Sequence, residues 1–186
     1  MEAVSLEIPE VKLLKPKRFG DKRGFFQQVY QQNLYKDIGI DSNFVQDNWS
    51  RSTKGVLRGL HYQLKNPQAK LVFVISGSVF DVAVDIRKGS PTFGKWVGAV
   101  LTEENGHQLF VPRGFAHGFV VLSKTVDFFY KCDNFYTPGD EYGVLWSDSN
   151  IGIDWPTKEL SATVSEKDEI ASCLKNIPDE NLPIFK

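Results

Sequence analysis

The chain has 186 residues, 41% of them hydrophobic and 13% aromatic, which suffices for one buried core and not for several. Its 22 basic and 23 acidic side chains leave a formal charge of −1, excluding the broad positive field that nucleic acid or an anionic membrane surface would require. No stretch has the apolar continuity of a membrane span, and two cysteines outside any CxxC pair exclude a disulfide framework. The first residues, MEAVSLEIPEV, put Glu2 and Glu7 where a secretory signal needs positive charge. A cytoplasmic protein with free thiols and a single domain over residues 1–186 is therefore expected.

In chain order, Asp21-Lys22-Arg23-Gly24 reads as a turn carrying a cation, and Gln31 to Ile38 has the spacing of a two-turn helix. Val56 to Gln63, VLRGLHYQ, is the most informative stretch. Arg58 stands three positions before His61 among apolar residues, and Gly55 and Gly59 let the backbone come close to a ligand. Because imidazole titrates near neutrality, a cation and a proton carrier share one strand-like segment. Lys70 to Arg87, KLVFVISGSVFDVAVDIR, is rich in β-branched residues and broken by Ser76-Gly77-Ser78, which predicts a hairpin. Further strands are expected over Trp96–Leu101, Gln108–Val111, Phe115–Leu122 and Thr125–Cys132, with a polar turn at Thr102–Gly106 that makes His107 a solvated loop residue. His117 closes a second informative segment, VPRGFAH, in which Pro112 and Gly114 set a turn. Ser165 to Leu174 reads as a late helix with Ser165 as N-cap and Asp168 three residues on, and Pro178 to Lys186 as a short tail. Short strands separated by Gly, Pro, Asn and Ser define an all-β barrel or sandwich, not alternating βαβ units.

Gly106, Pro112, Gly114 and His117 fit Gly-x5-Pro-x-Gly-x2-His, half of the pattern of cupins, which are small jelly-roll barrels. The other half, a His-x-His followed by Glu, is missing, since Tyr62 and Gln63 follow His61; Val121 stands where many cupins have Asn. Transition metals want three or more converging His, Cys or carboxylate ligands, so a metal-free barrel is favoured. Ordered matches along nearly the whole chain are more specific than either half-pattern. They run through Phe19-Gly20-Asp21, Arg23-Gly24-Phe25-Phe26, Phe44 to Asn48, Gly55 to Gln63, Lys70-Leu71-Val72, Val79 to Arg87 and Ser90 to Val97. They continue through Val111 to Phe119, Tyr130-Lys131, Tyr136, Glu141, Ile151 to Pro156 and Ser165 to Asp168. On these residues the chain resembles the dTDP-4-dehydrorhamnose 3,5-epimerases and related nucleotide-sugar epimerases.

That resemblance implies a cupin-type jelly-roll barrel with short peripheral helices, acting as a homodimer without cofactor or metal on a nucleotide-diphosphate 4-keto-6-deoxyhexose. The keto group at C4 acidifies the C–H bonds at C3 and C5. The site then needs a base, a cation at the developing enolate oxygen, an acid across the ring and a grip on the diphosphate. By resemblance His61 is the base, Asp168 the carboxylate that orients it, Lys70 the partner of the enolate and Tyr130 the opposite-face acid. Arg23 and Arg58 hold the diphosphate through their planar forks of donors. Gln28, Gln46, Asn48, His117, Tyr136, Glu141 and Lys167 match further substrate contacts, and Phe26 and Phe135 are candidates to flank the base or sugar.

Local sequence offers structural readings of the same residues: Asp168 as part of a helix start, Lys70 as a solvated strand-edge charge, Tyr130 and His117 as satisfied core residues. Two departures from the family bear on specificity, Gln28 in place of a glutamate after the Phe pair and Phe73 in place of a basic residue three positions after the lysine. Three rivals remain. A cupin isomerase that moves the keto group between C4 and C3 needs the barrel and base but no opposite-face acid. A sugar-binding module would keep aromatic and arginine contacts while losing the base, carboxylate or lysine, and a metal-dependent cupin oxygenase would need the missing His-x-His. The residues leave open whether C3, C5 or both are inverted, and whether the nucleotide is thymidine or guanosine.

Overall fold

Strands buried on both faces read as continuous apolar runs, whereas strands with one wet face alternate, and both kinds are present here. In the computed structural model, which describes residues 1–157 and 161–185, β11 (Phe115–Val121) is buried at every position. By contrast β5 (Gln46–Thr53) is exposed at every other residue and forms a sheet edge.

One sheet is six-stranded, in the order β1 (Glu2–Ser5), β2 (Lys12–Lys15), β10 (Gln108–Val111), β7 (Lys70–Ser76), β12 (Thr125–Cys132) and β5. The other is five-stranded, in the order β13 (Glu141–Gly143), β6 (Leu57–Gln63), β11, β8 (Ser78–Asp85) and β9 (Trp96–Thr102). They enclose a core to which Val72, Val74, Leu109 and Phe128 contribute from the first sheet and Val79, Ala83, Val97 and Phe119 from the second. This is the expected cupin-type barrel. A second apolar cluster lies on the outer face of the five-stranded sheet, where Leu60, Val82, Val84 and Val120 meet Val144, Trp155, Leu174 and Leu182. The C-terminal part of the chain thus covers β8 and β11, which is why they are apolar on both faces apart from Asp81, Asp85 and His117. Helix α1 (Gln32–Asp37) lies near its expected place and buries Tyr35 with Leu14, Leu71 and Phe110. A separate two-stranded hairpin, β3 (Arg18–Asp21) and β4 (Gly24–Gln27), leaves Phe19, Phe25 and Phe26 exposed. Among the described residues no helix is long and apolar enough to cross a membrane.

Three expectations need correction. β7 and β8 are not a hairpin: β7 pairs with β10 and β12, β8 with β11 and β9, so Gly77 turns the chain from one sheet into the other. Its φ of +84° suits that corner. The late helix is cut to α2 (Glu166–Glu169), because Ser172 pairs with Val144 in extended backbone and its carbonyl accepts from Leu145 N at 2.9 Å. Leu174–Asn176 is a separate 3-10 turn, and the tail's Lys186 lies outside the described residues. His107 lies in the expected loop but is half-buried and only partly open to solvent, and burial pushes its pKa down.

The pairing of β6 with β11 sets the position of the site. His117 faces His61 across this pair, and the register shifts just beyond it. Two glycines make the close approach feasible: a Cβ on Gly59, at φ +119°, would sit 2.6 Å from the His117 carbonyl oxygen, and one on Gly118 would sit 2.6 Å from that of Arg58. Gly59→Ala is expected to cost about 1–3 kcal/mol in urea unfolding. Gly20→Ala, whose added carbon meets nothing closer than 3.7 Å, should stay within about 0.5 kcal/mol of the native protein. Equal stability of both variants would refute the close-packing argument.

Candidate active site

Strand alternation assigns the inward face of the barrel, and toward one end that face changes from apolar to polar. On β7, Val72 and Val74 enter the core and Lys70 follows on the same face; on β12, Val126 and Phe128 are followed by Tyr130 and Cys132. Opposite them, β6 sends Leu60 and Tyr62 to the outer cluster, so His61 and Gln63 point inward, and β11 adds His117. These residues line a cavity of about 270 Å³ together with Gln46, Asn48, Tyr136 and Glu141.

His61 Nε2 lies 2.6 Å from Asp168 Oδ1. The second oxygen of Asp168 accepts from Gly59 N at 3.3 Å, and the Asp168 backbone N–H donates to Ser165 Oγ at 3.2 Å. Both readings of Ser165-Glu166-Lys167-Asp168 therefore hold at once: the backbone of Asp168 is capped while its side chain holds the imidazole. Burial raises the Asp168 pKa, but hydrogen bonds from His61, Gly59 and Ser165 outweigh it and hold the carboxyl below its ordinary range.

Across the cavity, neither the Lys70 ammonium nor the Tyr130 hydroxyl has a hydrogen-bond partner among the described residues; both face the cavity. Burial pushes the Lys70 pKa down, against the pull of Cys132, Asp81 and Glu141. It pushes that of Tyr130 up, with Cys132 and Glu141 adding to the shift and Arg58 opposing it. The phenol thus keeps its proton at neutral pH and yields it to a strong base such as a carbanion. His117 Nε2 contacts both oxygens of Asp81, at 2.9 and 3.0 Å. Burial raises the Asp81 pKa while His117 and Lys70 lower it. Asp81 was missed in the sequence, although an acid inside the apolar run VFDVAVD was a signal for a buried, paired charge.

A second cavity, of about 430 Å³, adjoins the first and is lined by Arg58, Lys167, Asp168, His61 and Glu141. Arg58 is anchored there by Nε donating to Ser52 Oγ at 3.1 Å. Lys167 Nζ pairs with Glu141 Oε2 at 2.8 Å, and Tyr136 OH donates to the same oxygen at 3.4 Å. Gln46 Nε2 donates to Asn48 Oδ1 at 3.0 Å, and Asn48 Nδ2 to Cys132 Sγ at 3.7 Å. Burial pushes the Cys132 thiol up to about 11.

Other expected site residues lie elsewhere. Arg23 and Gln28 are exposed on and after the β3–β4 hairpin, outside both cavities, and Arg23 pairs with Asp21 at 2.6 Å. Phe26 and Phe135 are exposed and line neither cavity. Phe73 points away from Lys70 and packs on Phe129, so its departure from the family does not touch the cavity wall. Among the described residues no three His, Cys, Asp or Glu side chains gather as a metal site requires.

A barrel that brings a carboxylate-held imidazole and an unpartnered phenol and ammonium to one cavity is a cupin-type isomerase in architecture. Sequence comparison narrows the class: residues 5–176 match the family model of dTDP-4-dehydrorhamnose 3,5-epimerase. A Shigella flexneri dTDP-4-dehydrorhamnose 3,5-epimerase is 55% identical over 170 residues, 90% of this chain and 93% of that protein. A Legionella pneumophila dTDP-6-deoxy-D-glucose-3,5-epimerase, solved in complex with dTDP-4-keto-L-rhamnose, is 50% identical with a TM-score of 0.97, covering 100% of this chain and 98% of the other. A Streptomyces bikiniensis 3'-monoepimerase bound to dTDP-quinovose is more distant, 31% identical with a TM-score of 0.90 over 96% of this chain and 91% of its own. The chain belongs to the dTDP-4-dehydrorhamnose 3,5-epimerase family.

The depressed Asp168 pKa sets a pH signature. A carboxylate held below its ordinary value near 3.8 contributes its full stabilisation above that value and loses it as pH falls through the depressed one. Asp168→Asn cannot titrate, so its stability deficit in urea unfolding should be full at about pH 7 and shrink at about pH 3. Ser165→Ala removes the cap and should cost about 1 kcal/mol, with a smaller pH dependence than Asp168→Asn because Ser165 is the least of the contacts that lower the Asp168 pKa. A deficit in Asp168→Asn that ignores pH would mean that its carboxylate is not stabilised by this contact.

Proposed function

We propose that this protein converts dTDP-4-dehydro-6-deoxyglucose to dTDP-4-dehydrorhamnose by inverting C3 and C5, a step of deoxysugar biosynthesis. The observation that carries this reading is the 2.6 Å contact of Asp168 on α2 with His61 on the five-stranded sheet, with Lys70 and Tyr130 opposite it on the six-stranded one. His61 takes a proton from the carbon beside the ketone, and Asp168 fixes its tautomer and orientation. The electron pair moves onto the C4 oxygen, where Lys70 meets a charge that grows only as the proton leaves. Tyr130 then protonates the same carbon from the opposite face, inverting it. Arg58 and Lys167 on the adjoining shelf suit a diphosphate, and Gln46, Asn48, Tyr136 and His117 suit the sugar end.

We further read the chain as one domain that acts as a homodimer in the cytoplasm, where free Cys132 and Cys173 stay reduced, with no nucleic-acid partner. The dimer is supported by exposed apolar side chains that a monomer would leave in water, Trp49 and Ile75 on the six-stranded sheet and Phe19, Phe25 and Phe26 on the hairpin. In such a dimer Arg23, which lies outside the two cavities that His61 lines, reaches the diphosphate in the partner's site.

In deuterium oxide the native protein should place deuterium at C3 and C5 with inversion, followed by NMR. His61→Ala should lose this exchange by about 10²–10⁴-fold. Tyr130→Phe, which strands no protein partner, should still exchange but with retention of configuration, while net inversion collapses. Native exchange in His61→Ala, or native inversion in Tyr130→Phe, would remove that residue from the mechanism.

Arg23 is tested by mixing. Chains carrying His61→Ala and chains carrying Arg23→Ala, each nearly inactive alone, should regain activity when unfolded together and refolded, since one site of each mixed dimer then has both native groups. No recovery would assign Arg23 to its own chain or to no site.

A further inference from the structure

The two ring nitrogens of His61 face different carboxylates. Nε2 is taken by Asp168, whose side chain is 5% exposed and closed in by Gly59 and Ser165. Nδ1 lies 3.9 Å from Oε1 of Glu141, whose side chain is 29% exposed. His61 and Glu141 are also the two side chains common to the barrel cavity and the shelf beside it. Lys167, more than half exposed, grips the other Glu141 oxygen at 2.8 Å from the shelf side. Burial raises the Glu141 pKa, but Lys167, His61 and Lys70 outweigh it and keep the carboxylate ionised.

Proton accounting gives this arrangement a task. Each inversion moves one proton from carbon to His61 and another from Tyr130 to the opposite face of that carbon. It leaves an imidazolium and a phenolate. A second inversion must wait until one proton has left the histidine and another has reached the phenol. The carbon's proton arrives on Nδ1, because Nε2 is engaged, and of the two carboxylates Glu141 is the more open to the shelf, its side chain 29% exposed against 5% for Asp168.

Resting on the reading of His61 as base, we infer that Glu141 is the proton relay that resets His61 between inversions. Its carboxylate takes the Nδ1 proton and becomes a neutral acid, then gives that proton to water in the shelf and is a carboxylate again. The Tyr130 phenolate takes one proton from water, so none is gained or lost overall. The 3.9 Å gap is one that a proton crosses through a single bridging water. Glu141 therefore acts through His61 and not on the sugar, unlike the substrate contact that the family resemblance implies.

Glu141→Gln keeps the size and hydrogen-bonding capacity of the side chain and removes its basicity. With substrate in excess in deuterium oxide, rapid quenching should show a burst of one inverted carbon per site near the native rate. A steady phase about 10²-fold slower than native should follow, with singly inverted sugar accumulating and KM falling along with kcat, because the slowed step comes after the burst. Added formate should restore the steady phase in proportion to its concentration. Should Glu141→Gln fail to fold, Glu141→Asp, which keeps the charge but withdraws it from His61, should show a smaller fall with the same formate response. A native steady rate would overturn the inference, as would a raised KM, or equal slowing of burst and steady phase, without formate rescue. Native exchange in His61→Ala would sink the base assignment itself, whereas an inactive His61→Ala beside a native-like Glu141→Gln would sink only the relay.

Discussion

His61 and Asp168 are separated by 107 positions in the chain and by 2.6 Å in space, and the site depends on that contact. The segment that carries Asp168 is pinned on both sides. Ahead of it, Leu57 N donates to the Thr163 carbonyl at 2.9 Å; beyond it, Leu145 N donates to that of Ser172 at 2.9 Å. The apolar cluster beneath the five-stranded sheet anchors the same region through Val144, Trp155 and Leu174. Local capping by Ser165 then fixes the backbone of Asp168 and leaves its carboxylate free to meet the imidazole. A short-range motif and a long-range pair are satisfied by one geometry, which is the consistency expected of a foldable sequence.

The barrel divides the remaining chemistry between its sheets. His61, His117 and Glu141 belong to the five-stranded sheet, Lys70, Tyr130, Gln46 and Asn48 to the six-stranded one, and the cavity lies where both inward faces turn polar. Burial makes each charge there count for more, because water does not screen it. Asp168 answers that cost with His61, whereas at Asp81 burial outweighs the pull of His117 and Lys70 and leaves the pKa raised. Lys70 and Tyr130 make no hydrogen bond among the described residues and face the cavity, which is how a protein holds donors ready for charge that appears only during reaction.

Much of this was legible along the chain. Alternation and turn chemistry located β7 to β12, the half-pattern ending at His117 marked a cupin, and ordered matches selected His61, Asp168, Lys70 and Tyr130. Less was legible at the edges. β5 reads as polar because its outer face is wet, and the Ser165–Leu174 helix looked longer than it is because its end pairs with Val144. Asp81 was hidden among valines, and the second carboxylate on His61 had no local signature.

By itself the sequence determined the all-β class, the central strands of the barrel and the chemical groups available to the site, since side-chain period and turn residues act between near neighbours. Only the tertiary structure decided that β7 and β8 part into different sheets, that Glu141 stands at the second nitrogen of His61, and that Arg23 lies outside the cavity that holds His61. Strand pairing, desolvation and Coulomb interaction depend on distance through space, and residues far apart in the chain set that distance only once the two sheets have closed on each other.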